Sequence, residues 1–144
     1  MLTALIFTLL LSSGSCGLAS RLDVEQALGR PVVAGDATMY RAGAECDFSA
    51  GEGQIAISVQ HLTEDLTLPA EIVNLTAALP GSRVREITVS GVQAFLLDLG
   101  DAGAQLHVIR GRRDYLMISV LGLGCSEKVV AAAEALAKKA LSRM

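Results

Sequence analysis

The chain has 144 residues, enough for one domain with a single core and too few for two full-sized domains. Hydrophobic residues make up 51% of it, and a chain this apolar can offset its ordering entropy by burial, which excludes intrinsic disorder. Its 12 basic and 15 acidic residues give a formal net charge of −3. Because no basic surplus is available to neutralise phosphates, we predict no nucleic-acid partner.

The N-terminal segment has the pattern of a signal peptide. The apolar run over residues 2–11 is about half of the ~20 residues that span a bilayer, and small residues follow it at once. The zone Ser13-Gly14-Ser15-Cys16 resembles a bacterial lipobox, although Ser13 replaces the usual aliphatic residue and no Lys or Arg precedes the apolar run. We predict a signal peptide over residues 1–19, with Cys16 lipidated and attaching the protein to a membrane.

Two other interpretations of this segment stay open. A signal peptidase could cut after Gly17-Leu18-Ala19 and release a soluble secreted protein, or the apolar run could be an element of the domain itself. Lipidation and secretion both place the mature chain outside the cytoplasmic membrane, where disulfides persist.

The cysteines then form a pair. Lipidation of Cys16, or its removal, leaves Cys46 and Cys125, and we predict a disulfide between them. They lie too far apart in the chain for a redox motif or a zinc knuckle. The alternative is two buried free thiols.

The first half of the mature chain predicts a helix and a hairpin. Ser20, with Asp23 three residues later, is an N-cap pattern, so we expect a helix over residues 21–29. A Gly35-Asp36 turn follows. Apolar residues then alternate with polar ones over residues 44–49 and 54–61, which predicts a hairpin with one apolar face.

The second half predicts a helix, a meander and a long final helix. Pro69 and the breaker Pro80-Gly81 bound a helix over residues 69–79. Four runs of period two then predict an antiparallel meander, at residues 84–89, 93–99, 104–110 and 115–121. The last three runs are apolar on both faces, so the sheet needs cover on both sides. Residues 126–144 have an Ala-rich apolar stripe and predict the longest helix.

These elements predict one α+β domain over residues 20–144, in which an antiparallel sheet of about six strands is covered by helices and a long Ala-rich helix comes last. The order of elements, the lipobox-like start and the segment from Asp23 to Val32 resemble small bacterial lipoproteins and secreted proteins with a PsbP-like α-β-α sandwich. The Cys46 strand and the turn Gly91-Val92-Gln93-Ala94 extend this resemblance. It implies an accessory or binding role at the cell envelope and supplies no catalytic residues. An NTF2-like cone is the competing fold, but it normally places its long helices before the sheet.

Signatures of common enzyme chemistry are absent from the sequence. It contains no P-loop, no GxGxxG, no GxSxG and no HExxH, so we predict no catalytic residue, cofactor or metal site. His61 lies near Glu64 and Asp65 and is a candidate for a loose metal site, whereas His107 lies within an apolar strand and is expected to be structural. Three arginines near one hairpin tip form a candidate contact for an anion or a lipid headgroup: Arg110, Arg112 and Arg113.

We therefore expect a non-catalytic cell-envelope lipoprotein, or a secreted accessory protein, that binds another envelope protein. Two alternatives are kept. The first is a carrier of a small apolar ligand between the sheet and a helix, because the final helix has small side chains that can line a cavity. The second is an enzyme that uses His61 or His107 with a carboxylate such as Asp98.

Overall fold

The computed structural model describes residues 15–40 and 42–144. Most of the predicted signal peptide lies outside these residues, and so does the side chain of the predicted lipidation site, Cys16. A 3₁₀ turn over Ser15–Leu18 begins the described chain. Within the described ranges, no helix is both long enough and apolar enough to cross a membrane.

Three helices and seven strands are found in the described chain. Each helix begins at a capping side chain, from Ser20, Thr67 and Ser126 in turn, which satisfies a backbone N–H of the first turn. The elements in chain order are α1 Arg21–Leu28, β1 Val33–Tyr40, β2 Gly43–Ala50, β3 Gly53–His61, α2 Leu68–Ala78, β4 Arg83–Val89, β5 Val92–Asp98, β6 Gly103–Arg110, β7 Asp114–Leu121 and α3 Glu127–Arg143.

All seven strands form one antiparallel sheet in the order β1-β2-β3-β7-β6-β5-β4. The predicted hairpin is β2–β3, and the predicted meander is β4–β7. Pairing of β3 with β7 joins the two parts, with Ile57 opposite Ile118. The predicted α+β architecture with a long C-terminal helix is confirmed.

The strand count is seven, not six, because β1 was not predicted. The Gly35-Asp36 pair, interpreted as a turn, lies inside β1, where the register with β2 shifts between Ala34 and Ala37. Such a bulge inserts unpaired residues into a strand, and its sequence resembles a turn. A Cβ atom at Gly35 would lie 3.1 Å from the carbonyl oxygen of Asp47, so glycine permits the close approach of β2.

One face of the sheet carries the main core. There α3 packs on β6 and β7, and α1 packs on α3. The small side chains of Ala133, Ala137 and Ala140 are fully buried, which brings the helix close to the sheet. Ala19 is also fully buried and Leu18 packs against the same core, so the packed domain begins before the predicted boundary at residue 20.

Of the described helices, α2 covers the opposite face, over β4 and β5. No side chain of α2 is buried. Beneath and beside the helix lie four buried side chains of β5, β6 and β7: Phe95, Leu97, His107 and Tyr115.

Candidate functional site

A groove opens where the cover of the main core ends, between the edge strand β4 and the start of α3. We call it the β4 groove, and it encloses about 280 Å³. Leu96 and Val130, which are nearly fully buried, form its apolar floor, and Arg83 and Arg85 of β4 stand on its outer side. An apolar floor with charged groups at the rim is typical of a binding site.

The inner rim of the β4 groove carries a thiol and two carboxylates. Cys125 is a free thiol that donates a hydrogen bond to Asp98, and its pKa is raised to about 11 by burial and by the Asp98 carboxylate. A backbone N–H from Gly100 holds the pKa of Asp98 below its usual range. Arg85 donates to Glu127 at 3.2 Å across the groove. The thiol is therefore protonated at neutral pH and is a poor nucleophile.

The predicted disulfide between Cys46 and Cys125 is wrong. Cys125 is free, whereas Cys46 is disulfide-bonded. Cys46 lies on β2 and Cys125 contacts Asp98 on β5, which is four strand positions away, roughly 19 Å at the usual strand spacing. Two cysteines so far apart cannot form a disulfide.

A polar cluster lies under α2, in an otherwise apolar layer. His107 is 1% exposed, its Nδ1 lies 2.7 Å from the hydroxyl oxygen of Tyr115, and its Nε2 lies 3.2 Å from Gln105 Oε1. The imidazole stacks on Phe95 with ring centroids 4.8 Å apart. Burial lowers the pKa of His107 to about 4.

Tyr115 extends this cluster to the helix. Its hydroxyl donates to the carboxylate of Glu71 on α2, and burial together with that contact raises the pKa of Tyr115. The cluster thus links the sheet to the one helix on this face. It fills its space and leaves the imidazole without access to solvent, as predicted for a structural histidine.

The two histidines are not brought together with Asp98. His61 Nδ1 lies 2.8 Å from Asp114 Oδ1, on an open surface where both side chains are well exposed. Asp98 and His107 project from opposite faces of the sheet, because the register pairs His107 with Phe95 on β5, three residues from Asp98. Asp98 is thus the partner of neither histidine, and the carboxylate beside His61 is Asp114. Among the described residues, no cluster of three His, Cys, Asp or Glu side chains is suited to hold a metal ion.

The three arginines predicted as an anion contact point in different directions. Arg110 donates to the carbonyl oxygen of Leu141 at the end of α3, and Arg113 forms an ion pair with Asp65 at 2.8 Å. Arg112 sits in the hairpin turn with φ 69° and has no ion pair with any described residue. Two of the three guanidinium groups are thus engaged within the fold.

The cavity suggested by the small residues of the final helix is filled. Ala132, Ala133 and Ala137 of α3 are buried to within 1% and pack in the core with the side chains of β6 and β7. The small residues serve close packing here. The space between sheet and helix that stays open is the β4 groove, where Leu96 of β5 and Val130 of α3 form the floor.

Comparison with known proteins adds no relative. No protein-family model, no curated protein and no solved structure matches the chain. The resemblance to PsbP-like lipoproteins therefore stays a prediction. Support for a function comes from the geometry of the described residues.

Two features of the candidate site were missed from the sequence. The groove combines β4 and β5 with the first turn of α3, which follows β6 and β7 in the chain, so no local motif marks it. The alternation of Arg83 and Arg85 in a short strand was the available signal, since charged residues are typical of edge strands. The Tyr115 contact to His107 depends on strand register and had no sequence signal.

Proposed function

We propose that this chain is a non-catalytic, exported protein of the cell envelope that binds a partner protein at the β4 groove. The observation that carries the proposal is the position of the groove relative to the N-terminal segment. Arg143, in the last turn of α3, donates to the carbonyl oxygen of Leu18, whereas Glu127 and Val130 line the groove at the first turn. A helix of 17 residues is about 25 Å long. A chain tethered through its N-terminal residues therefore presents the groove away from the membrane.

Export is supported by the state of Cys46. It is disulfide-bonded, and such bonds persist in the envelope and outside the cell rather than in the cytoplasm. Burial of Ala19 and packing of Leu18 argue against cleavage after Ala19, since that cut would remove core residues. Cleavage closer to Cys16 preserves them.

The two exported forms differ in how they are attached. Lipidation of Cys16 makes a membrane-anchored protein, whereas cleavage by an ordinary signal peptidase releases a soluble exported protein.

A non-catalytic role is supported by the state of the titratable groups. His107 is buried and hydrogen-bonded, and the Cys125 thiol is held protonated by burial and by Asp98. His61 and Asp114 form a surface pair that no wall shields from water. Of these groups only Cys125 lines the β4 groove, and its protonated thiol is a poor nucleophile.

Mass spectrometry of the protein purified from its own host tests export and anchoring. The chain is alkylated before and after reduction, and its N-terminus is mapped. A processed chain supports export, and the mass of its N-terminal peptide then shows whether Cys16 carries a lipid. An unprocessed chain with a reduced Cys46 would contradict the proposal.

Site-specific cross-linking in the native envelope tests the groove. A photoreactive side chain at Glu127, which lines the groove, is compared with one at Val33, on the other edge strand; both positions are exposed. We expect an adduct from position 127 that disappears in the Arg83→Glu/Arg85→Glu variant, and no such adduct from position 33. Equal adducts from both positions, or none from position 127, would place the binding site elsewhere.

A further inference from the structure

The two edges of the sheet differ in their readiness to accept another strand. β4 pairs with β5 through seven consecutive residue pairs, and no other described strand pairs with its outer side. β1, at the other edge, is interrupted by the bulge at Gly35 and Asp36. A regular, unpaired edge is a template for strand addition, whereas a bulge twists the edge away from such pairing.

The charges on β4 specify what could lie beside it. Arg83 and Arg85 project to the α3 face, where Arg83 has no ion pair among the described residues and Arg85 has one exposed partner. Val84 and Glu86 project to the opposite face, and Val84 is 36% exposed. Residues directly opposite on neighbouring strands interact, so carboxylates are favoured beside the two arginines and a basic residue beside Glu86.

The charges on β4 disfavour two of the registers in which a second copy of this chain could pair with the edge. Full antiparallel self-pairing of residues 83–89 would place Glu86 opposite Glu86. A shift of one pair toward the start of the strand would instead place Arg85 opposite Arg85. Like charges directly opposite each other are destabilising in a sheet.

Building on the proposed function, we propose that β4 binds an extended segment of the partner protein as an eighth, antiparallel strand, with carboxylate side chains opposite Arg83 and Arg85. Backbone hydrogen bonds to the open edge supply affinity, and the alternating side chains supply selectivity. Side chains on the α3 face of the added strand extend the wall of the β4 groove. Those on the other face lie beside Val84 and Glu86.

The test uses two peptides that differ only in charge. The matched peptide is acetyl-Val-Thr-Ile-Lys-Glu-Val-Glu-amide, which is written antiparallel to β4, and the control is acetyl-Val-Thr-Ile-Glu-Lys-Val-Lys-amide. Each is titrated into the full chain and followed by NMR. Three cross-strand charge pairs change sign between the peptides, so we expect the matched peptide to bind about tenfold more tightly or better. We also expect slower exchange of alternate β4 amides on binding.

Charge reversal in the protein completes the test. In the Arg83→Glu/Arg85→Glu variant the preference should fall or invert, while Arg112→Glu, on a distant hairpin, should leave it unchanged. Equal binding of both peptides, no binding at millimolar concentration, or shifts centred on α2 would overturn strand addition. So would concentration-dependent dimerisation that the same double variant abolishes. If the cross-link from position 127 persists while the peptides fail, groove binding stands and the strand mode is wrong.

Discussion

The two faces of the sheet are covered in different ways. On one face, α3 contributes eight buried side chains to an apolar core. On the other face, α2 contributes none and lies over a layer that contains His107 and Tyr115. Close packing without polar groups stabilises the first face, whereas the second joins helix to sheet through partly buried contacts and the Glu71–Tyr115 hydrogen bond. We therefore expect α2 to open locally at a lower free energy than α3.

The largest effect should come from removing the same side chain from each helix. Leu136 of α3 is 1% exposed, and Leu136→Ala should lower the free energy of unfolding by about 2–5 kcal/mol, because a buried cavity forms. Leu75→Ala on α2 should lower the free energy of unfolding by only about 1 kcal/mol, because that side chain is already partly exposed to solvent. Urea unfolding followed by circular dichroism measures both, and equal losses would show that the faces contribute alike.

The α2 face should also respond to pH. His107 titrates near 6.5 when unfolded and at about 4 in the folded protein, so between these values the unfolded chain binds the extra proton. Stability is full above about pH 6.5 and should fall by about 3 kcal/mol as the pH drops to 4. His107→Gln should remove this dependence, and His61→Gln, which changes the exposed histidine, should preserve it. If the stability of the unmodified chain did not change over this pH range, the burial of His107 would be contradicted.

The stability of the sheet face that α3 covers should depend on pH in a more acidic range. Asp23 accepts a hydrogen bond from the Ser20 backbone and forms ion pairs with Arg143 at 2.7 Å and Lys139 at 3.2 Å, contacts that hold its pKa well below the usual value. Its stabilisation is present above pH 3.8 and is lost as the pH falls further. Asp23→Asn should lower the free energy of unfolding by about 1–3 kcal/mol at pH 7. It should also remove the pH dependence of stability in this acidic range only. Asp101→Asn, on an exposed turn, is the control, and an equal loss there would refute the role of Asp23.

The smallest effect concerns one thiol at the margin of the α3 face. With its pKa raised to about 11, Cys125 should react with iodoacetamide far more slowly at pH 8 than a cysteine in a short peptide does. Asp98→Asn should accelerate the reaction, because it removes a negative charge that opposes thiolate formation. A rate like that of an unfolded chain would mean that Cys125 is not held in the groove as described.

Local patterns predicted most elements because local interactions determine them. The capping pattern from Ser20 to Asp23 places α1, Pro69 marks the start of α2, and apolar alternation places β2 to β7. β1 was missed because a bulge containing Gly35 and Asp36 has the same composition as a turn. The candidate site was predicted less well, because Arg83, Arg85 and Cys125 come together only through the order of the strands.

The sequence by itself determined the α+β class, the helix starts, the hairpin and the meander, since each depends on residues close together in the chain. The tertiary structure decided which cysteine is free, which partner each histidine has, and where the β4 groove opens. These depend on contacts between distant segments. The pairing of β3 with β7 determines how far Cys46 lies from Cys125. The close packing of α3 on β6 and β7 leaves the groove beside β4 open. Strand order and register have no local signature, because an apolar strand satisfies the same pattern beside any of several neighbours.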